Sequence, residues 1–235
     1  MGELLNSHAR KEVVAPIAGT WAAFCLALLL AVPQPPNPLH IAVGAMIGAL
    51  MIFVGFSVTF RYRPRIIART SRRRAWFAAL SLLAGTALGG FLLTLLVPLS
   101  QVEPAVRSRF AGRISEPTWR PWALAFESSV LEEVVFRLFV MSIVAWFVVR
   151  VIKRPRAATV SAFVVSTLLF GLAHVPAWIS AGHTPPVLVV AVLFLNGIGG
   201  VLLGLIFWRG GLVYAILCHF AGDVIIQSLG PKLLA

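Results

Sequence analysis

The chain has 235 residues, 59% of them hydrophobic and 12% charged, with a mean hydropathy of +0.92. A soluble domain keeps about a quarter of its residues charged, so this composition excludes a soluble globular protein. The net charge of +12 does not indicate a nucleic-acid partner, because the cations are gathered between apolar runs. One cluster holds Arg61, Arg63, Arg65, Arg69, Arg72, Arg73 and Arg74, and another holds Arg150, Lys153, Arg154 and Arg156. Basic loops of this kind set membrane orientation and attract anionic lipid headgroups.

A hydrocarbon core of about 30 Å takes about 20 helical residues to cross. Seven apolar runs meet that length, over about residues 14–32, 40–60, 75–99, 121–149, 157–173, 186–208 and 211–229. In the third, Gly85, Gly89 and Gly90 allow a neighbouring helix to come close. An eighth, re-entrant or interfacial piece is predicted within the polar stretch 101–120 or around 175–181. The expected fold is all-α, a polytopic transmembrane helical bundle of about seven to eight helices. It forms one integral membrane domain, with residues 1–120 supplying N-terminal membrane helices and a cytoplasmic Arg-rich loop, and 121–230 the core that carries the chemistry.

The first run ends in Pro33, Pro35 and Pro36 rather than in a small-residue cleavage site, so it is expected to stay in the mature protein. Cys25 and Cys218 both fall inside apolar runs and read as packing residues. The alternation of basic and uncharged loops places the N-terminus in the cytoplasm, and the expected location is a bacterial plasma membrane. An internal repeat is not evident, which argues against the inverted-repeat transporters.

Ionisable side chains within membrane spans are costly and mark function by default. Here they concentrate in the second half. The fourth run contains Glu132, Glu133 and Arg137, the fifth ends with Phe170 four residues before His174, and the seventh carries His219 four residues before Asp223. Residues four apart share a helix face, so Glu133 can pair with Arg137 in the favourable acid-first order. Glu132 lies about 100° round the helix from Glu133 and is left in an apolar setting that suits it to proton transfer. His219 and Asp223 can face one cavity, and Phe170 can wall off the His174 ring. The blander alternatives are a structural clamp for Glu133 and Arg137, and a helix-bridging hydrogen bond for a single histidine. For His183, in a polar loop, no special role is expected.

The run Glu132-Glu133-x-x-x-Arg137, then Phe170-x-x-x-His174, then His219-x-x-x-Asp223, resembles the three motifs of the CPBP family. These are the CAAX prenyl endopeptidases and bacteriocin-processing or self-immunity proteins, also called the Abi family of intramembrane proteases. The resemblance covers about residues 121–228. It implies that Glu132 and His174 activate the attacking water, that Glu133 and Arg137 support the site, and that His219 and Asp223 stabilise the oxyanion. It further implies a membrane-associated or lipidated, CAAX-type peptide substrate.

The family's last motif position is often asparagine, whereas this chain has Asp223, and an ionised aspartate would repel an oxyanion. Orientation of His219 is the role expected for Asp223. A divalent metal such as zinc, held by Glu132, His174, His219 and Asp223, is the second option, since oxygen and nitrogen donors suit it. The preferred reading requires no cofactor. Rival functions are a non-catalytic membrane factor on the same fold, for bacteriocin self-immunity or scaffolding, and a proton-coupled transporter. If the positive-inside orientation holds, His174 lies near the outer end of its span, whereas cytoplasmic CAAX substrates would need a site that opens inward.

Overall fold

Long apolar runs with proline at their starts read as helices, and helices are what the chain forms. The computed structural model describes residues 7–31, 37–62, 71–178 and 185–235. Along it run α1 (Ser7–Ala31), α2 (Pro38–Tyr62), α3 (Ser71–Val102), α4 (Pro104–Ala111), α5 (Arg120–Glu132), α6 (Ser142–Ile152), α7 (Pro155–His174), α8 (Pro186–Gly210) and α9 (Leu212–Leu234). Proline opens α4, α7 and α8, where its missing N–H costs nothing and its fixed φ favours the first turn. Lys153, in the left-handed conformation (φ 56°), closes α6. Gly211 (φ 103°) turns the chain from α8 into α9 in a single residue, which a side chain would strain.

Six of the helical stretches are long and apolar enough to cross a membrane, and α1 adds a shorter apolar stretch, Val14–Leu30. The protein is an integral, multi-pass membrane protein, with each predicted span found within a few residues of its place. The extra pieces also appear: α4 lies in the polar stretch after α3, and a 3-10 turn, Val175–Trp178, follows α7. The loop between α2 and α3, with Arg63, Arg65 and Arg69 of the arginine cluster, lies outside the described residues, as do Pro33, Pro35, Pro36 and His183.

The fourth span departs from expectation. It runs unbroken over Arg120–Ile152, but Glu133–Met141 is π-helical, so α5 and α6 are the two α-helical ends of one rod. Such segments are rare and gather at functional sites, because the wider turn leaves carbonyls to be satisfied elsewhere. Here Ser166 on α7 donates its hydroxyl to the Phe136 carbonyl at 2.7 Å. Thr59 on α2 meets Ser142 at 3.0 Å just past the segment's end.

Burial is inverted relative to a soluble protein. Leu26, Phe53, Leu83, Phe147, Phe194 and Val213 are exposed on the outside of the bundle, whereas Glu133, Arg137, His219 and Ser129 are buried inside. Lipid tails are as apolar as these side chains, so helix association rests on close packing. The main seam joins α3 to α9: a Cβ on Gly85 would fall 1.9 Å from the Cys218 carbonyl oxygen, and one on Gly89 2.4 Å from that of Gly222. Around this seam α1 packs on α5, α2 on the π-helical segment, and α7 on α8. Cys25 and Cys218 are free thiols.

Gly85→Ala is expected to destabilise the bundle by about 1–3 kcal/mol, since the backbone it meets cannot move aside as a side chain would. Gly90→Ala, which meets nothing within 4 Å, should instead stabilise by about 0.5–1 kcal/mol through helix propensity. Thermal unfolding in detergent compares them, and equal midpoints for the two variants would show that the α3–α9 contact is not what limits stability.

Candidate active site

Where the π-helical segment begins, consecutive carboxylates point to different partners. Glu133 and Arg137 are both fully buried, and Arg137 Nε lies 3.5 Å from Glu133 Oε2. At that distance the contact is ionic rather than a well-formed hydrogen bond. The other carboxylate oxygen, Oε1, accepts from His219 Nδ1 at 3.0 Å. The Arg137 guanidinium also lies 4.5 Å from the centre of the Phe170 ring, a cation–π contact that suits an arginine shielded from water.

Glu132 faces the other way, with a side chain 26% exposed. Its Oε2 is 3.5 Å from His174 Nε2 and 3.7 Å from His219 Nε2. His174 Nδ1 donates to the Phe170 carbonyl at 2.8 Å, one turn back along α7. A carbonyl can only accept, so in the neutral ring Nε2 is left bare and faces the Glu132 carboxylate. Two acceptors 3.5 Å apart form a station for a molecule with two protons to give, such as water.

Asp223 completes the cluster from α9. Its Oδ2 is 3.7 Å from His219 Nε2 and accepts from Ser128 Oγ at 2.5 Å. The expected pair of Asp223 with His219 is therefore present, and a second carboxylate reaches the same ring. The group that holds the His219 ring through Nδ1 is Glu133, while Asp223 is turned onto Ser128 and sits at the opposite nitrogen. A sequence read by i,i+4 faces pairs His219 with Asp223 on its own helix, and only the packing of α5 on α9 brings Glu133 to the ring.

Phe170 lies at the centre. Its ring is 4.7 Å from that of His174, 5.9 Å from that of His219, and edge-on to Phe136 at 5.4 Å. It therefore touches both imidazoles and the Arg137 guanidinium at once. All seven residues singled out in the sequence come together: Glu132, Glu133, Arg137, Phe170, His174, His219 and Asp223. Ser128 was missed, although it lies four residues before Glu132 and so shares its face.

Glu132, His174, His219 and Asp223 line a cavity of about 390 Å³ whose other walls are mostly apolar, among them Leu92, Leu96, Leu188 and Val192. The cavity reaches the end of the bundle where α4 follows α3. Zinc would need donors at about 2.0–2.2 Å from one shared point. Among the described residues no group of three or more His, Cys, Asp or Glu side chains is arranged to hold a metal ion. The arrangement brings carboxylate and imidazole close enough to exchange a proton.

Residues 114–225 match the family model described as type II CAAX prenyl endopeptidase Rce1-like, a span that takes in the whole cluster. No curated protein and no solved structure matches the chain. The match agrees with the resemblance to the CPBP family, and the family matched is one of membrane proteases.

Removing one partner of a buried ion pair leaves the other charge uncompensated, so Arg137→Met is expected to cost about 3–5 kcal/mol of stability. The double change Glu133→Gln with Arg137→Met should recover part of that loss, read by denaturant unfolding in detergent. A double variant no more stable than Arg137→Met alone would mean that the two charges do not compensate each other.

Proposed function

We propose, from the match of residues 114–225 to the type II CAAX prenyl endopeptidase Rce1-like family, that the chain is an intramembrane endopeptidase. It cleaves a membrane-associated or lipidated, CAAX-type peptide with water activated by Glu132 and His174. The observation that carries this reading is the Glu132 carboxylate, 3.5 Å from the bare Nε2 of His174 on the wall of a cavity.

Water held between these acceptors gives a proton to Glu132 as its oxygen attacks the scissile carbonyl. In its doubly protonated form, His219 turns Nε2 toward the developing oxyanion as a donor while Glu133 holds Nδ1. Arg137 balances the Glu133 charge, so that one carboxylate is not left bare beneath the ring. Asp223, fixed by the Ser128 hydroxyl, faces the Nε2 side of His219 and supports its positive charge. Glu132 then returns its proton to the leaving amine. The low dielectric of the bundle interior strengthens each of these interactions. No step needs a metal ion or another cofactor.

The apolar cavity suits a substrate presented from the bilayer, and membrane lipids are the surroundings it shares with that substrate. The chain resides in a bacterial plasma membrane in this reading. Its cavity reaches the α4 end of the bundle, away from the end where α3 begins.

Glu132→Gln and His174→Ala are each expected to slow cleavage of an internally quenched prenylated peptide by about 10²–10⁴-fold, the usual worth of general acid–base catalysis. Unchanged rates in both variants would remove the mechanism. Complementation of a deletion phenotype by Glu132→Gln would favour a non-catalytic membrane factor instead. A chelator should leave the wild-type rate unaltered, and loss of activity restored by zinc would refute the metal-free part.

A further inference from the structure

A second cavity, of about 620 Å³, lies at the end of the bundle where α3 begins and shares no wall residue with the active-site cavity. Its size is that of a ligand site, about 300–1,000 Å³. It arises because the helices there pack in two groups, α1 on α2 and α5, and α3 on α9. Its walls include Gly19 on α1, Phe56 and Thr59 on α2, Arg74 on α3, Phe207 near the end of α8 and Tyr214 near the start of α9. A Cβ on Gly19 would meet nothing within 4 Å, so α1 presents bare backbone to open space.

Water does not suit this space, since an ordered water needs about two to four polar partners. The Thr59 hydroxyl is already engaged with that of Ser142 at 3.0 Å. The walls are mainly apolar, and their charge stands at one side. Arg74 is exposed in the first turns of α3. Three residues on, Phe77 packs against Tyr214 with ring centres 5.6 Å apart. Arg74 therefore stands about 4.5 Å further toward the end of the bundle than that aromatic pair. The same end carries Arg73, Arg150, Arg154 and Arg209. Among the described residues, Glu12 at the start of α1 is the one acidic residue at that end; the others lie at the active site or toward α4. An occupant thus meets an apolar cleft with an excess of positive charge at its rim.

We infer that this cavity binds a glycerophospholipid with an anionic headgroup, one acyl chain lying between α1 and α9 and the phosphate meeting Arg74. A guanidinium gives charge-assisted hydrogen bonds to phosphate oxygens, and basic pockets between membrane helices hold headgroups in this way. Tyr214 suits the level just below, where an aromatic ring has apolar matter on one side and the wet interface on the other. The bound chain bridges the two helix groups that otherwise leave a gap. It therefore stabilises the bundle as any ligand does that binds the folded state alone. The site lies outside the proposed reaction and concerns no substrate of it.

The test titrates the purified full chain in neutral detergent and reads the thermal unfolding midpoint. The probes are dioleoyl phosphatidylglycerol, phosphatidylcholine with the same chains, and glycerol 3-phosphate. The anionic lipid is expected to bind about tenfold tighter than the neutral one, the worth of a charge-assisted contact. Glycerol 3-phosphate should give no shift, which separates a lipid from free phosphate. Arg74→Gln should bring the anionic lipid down to the level of the neutral one, and Arg74→Lys should keep most of the preference. Gly19→Leu, which puts a side chain into the cavity, should abolish the shift from both lipids. Arg150→Gln removes an equal charge from the same end but not from the cavity wall, and should leave the preference unchanged. Equal binding of the two lipids by the wild type overturns the inference, as does a preference lost equally in Arg150→Gln. So does a lipid shift that survives Gly19→Leu. None of these measurements involves cleavage, so a negative result leaves the endopeptidase reading standing.

Discussion

A carboxylate buried among apolar helices must be neutralised on every side, and Glu133 is neutralised by two partners from different parts of the chain. Arg137, on the same rod, approaches one oxygen, and His219, from α9, donates to the other. Neither interaction tolerates a shift of an ångström or two without leaving a charge stranded in a medium that cannot solvate it. The rod through α5 and α6, the helix α9 and the Phe170 ring that covers Arg137 are therefore held in one mutual arrangement. Glu132, one residue earlier, is carried to its place between two imidazoles by the same constraint.

The remaining helices serve that arrangement. α3 approaches α9 along a seam where Gly85 and Gly89 meet bare backbone, which holds the helix bearing His219 and Asp223 against its neighbours. The π-helical turn hands the Phe136 carbonyl to Ser166, tying the rod to α7 and hence to His174. In a bilayer, where burying apolar surface brings helices together only weakly, such close contacts and a few polar ties take over the role that hydrophobic collapse plays in water.

The cavity is electrically polarised along its length. Carboxylates and imidazoles occupy one end and arginines the other, with aliphatic walls between them. That gradient bears on chemistry as well as recognition. The acidic end sets carboxylates around His219, and the basic end carries Arg109 and Arg113.

Much of this was legible in the chain itself. The length and spacing of apolar runs located the spans, because about 20 helical residues are needed to cross a bilayer whatever the fold. The seven residues later found in one cluster stood out as ionisable or aromatic groups at depth, at spacings of one turn. Periodicity within a helix is local, however, and could not say which helices touch. It paired His219 with Asp223, its neighbour on α9, a pair the structure contains, but it could not see that Glu133 takes the other ring nitrogen or that Ser128 donates to Asp223. It assumed an unbroken α-helix where nine residues are π-helical. It was equally blind to Arg113 meeting Gln227, since residues in a polar loop and on a distant helix share no period. The sequence by itself determined that charged groups must be gathered inside a membrane bundle, because lipid leaves them nowhere else to go. Which nitrogen faces which carboxylate, and where the cations stand relative to them, was decided only by the tertiary contacts among α4, α5, α7 and α9.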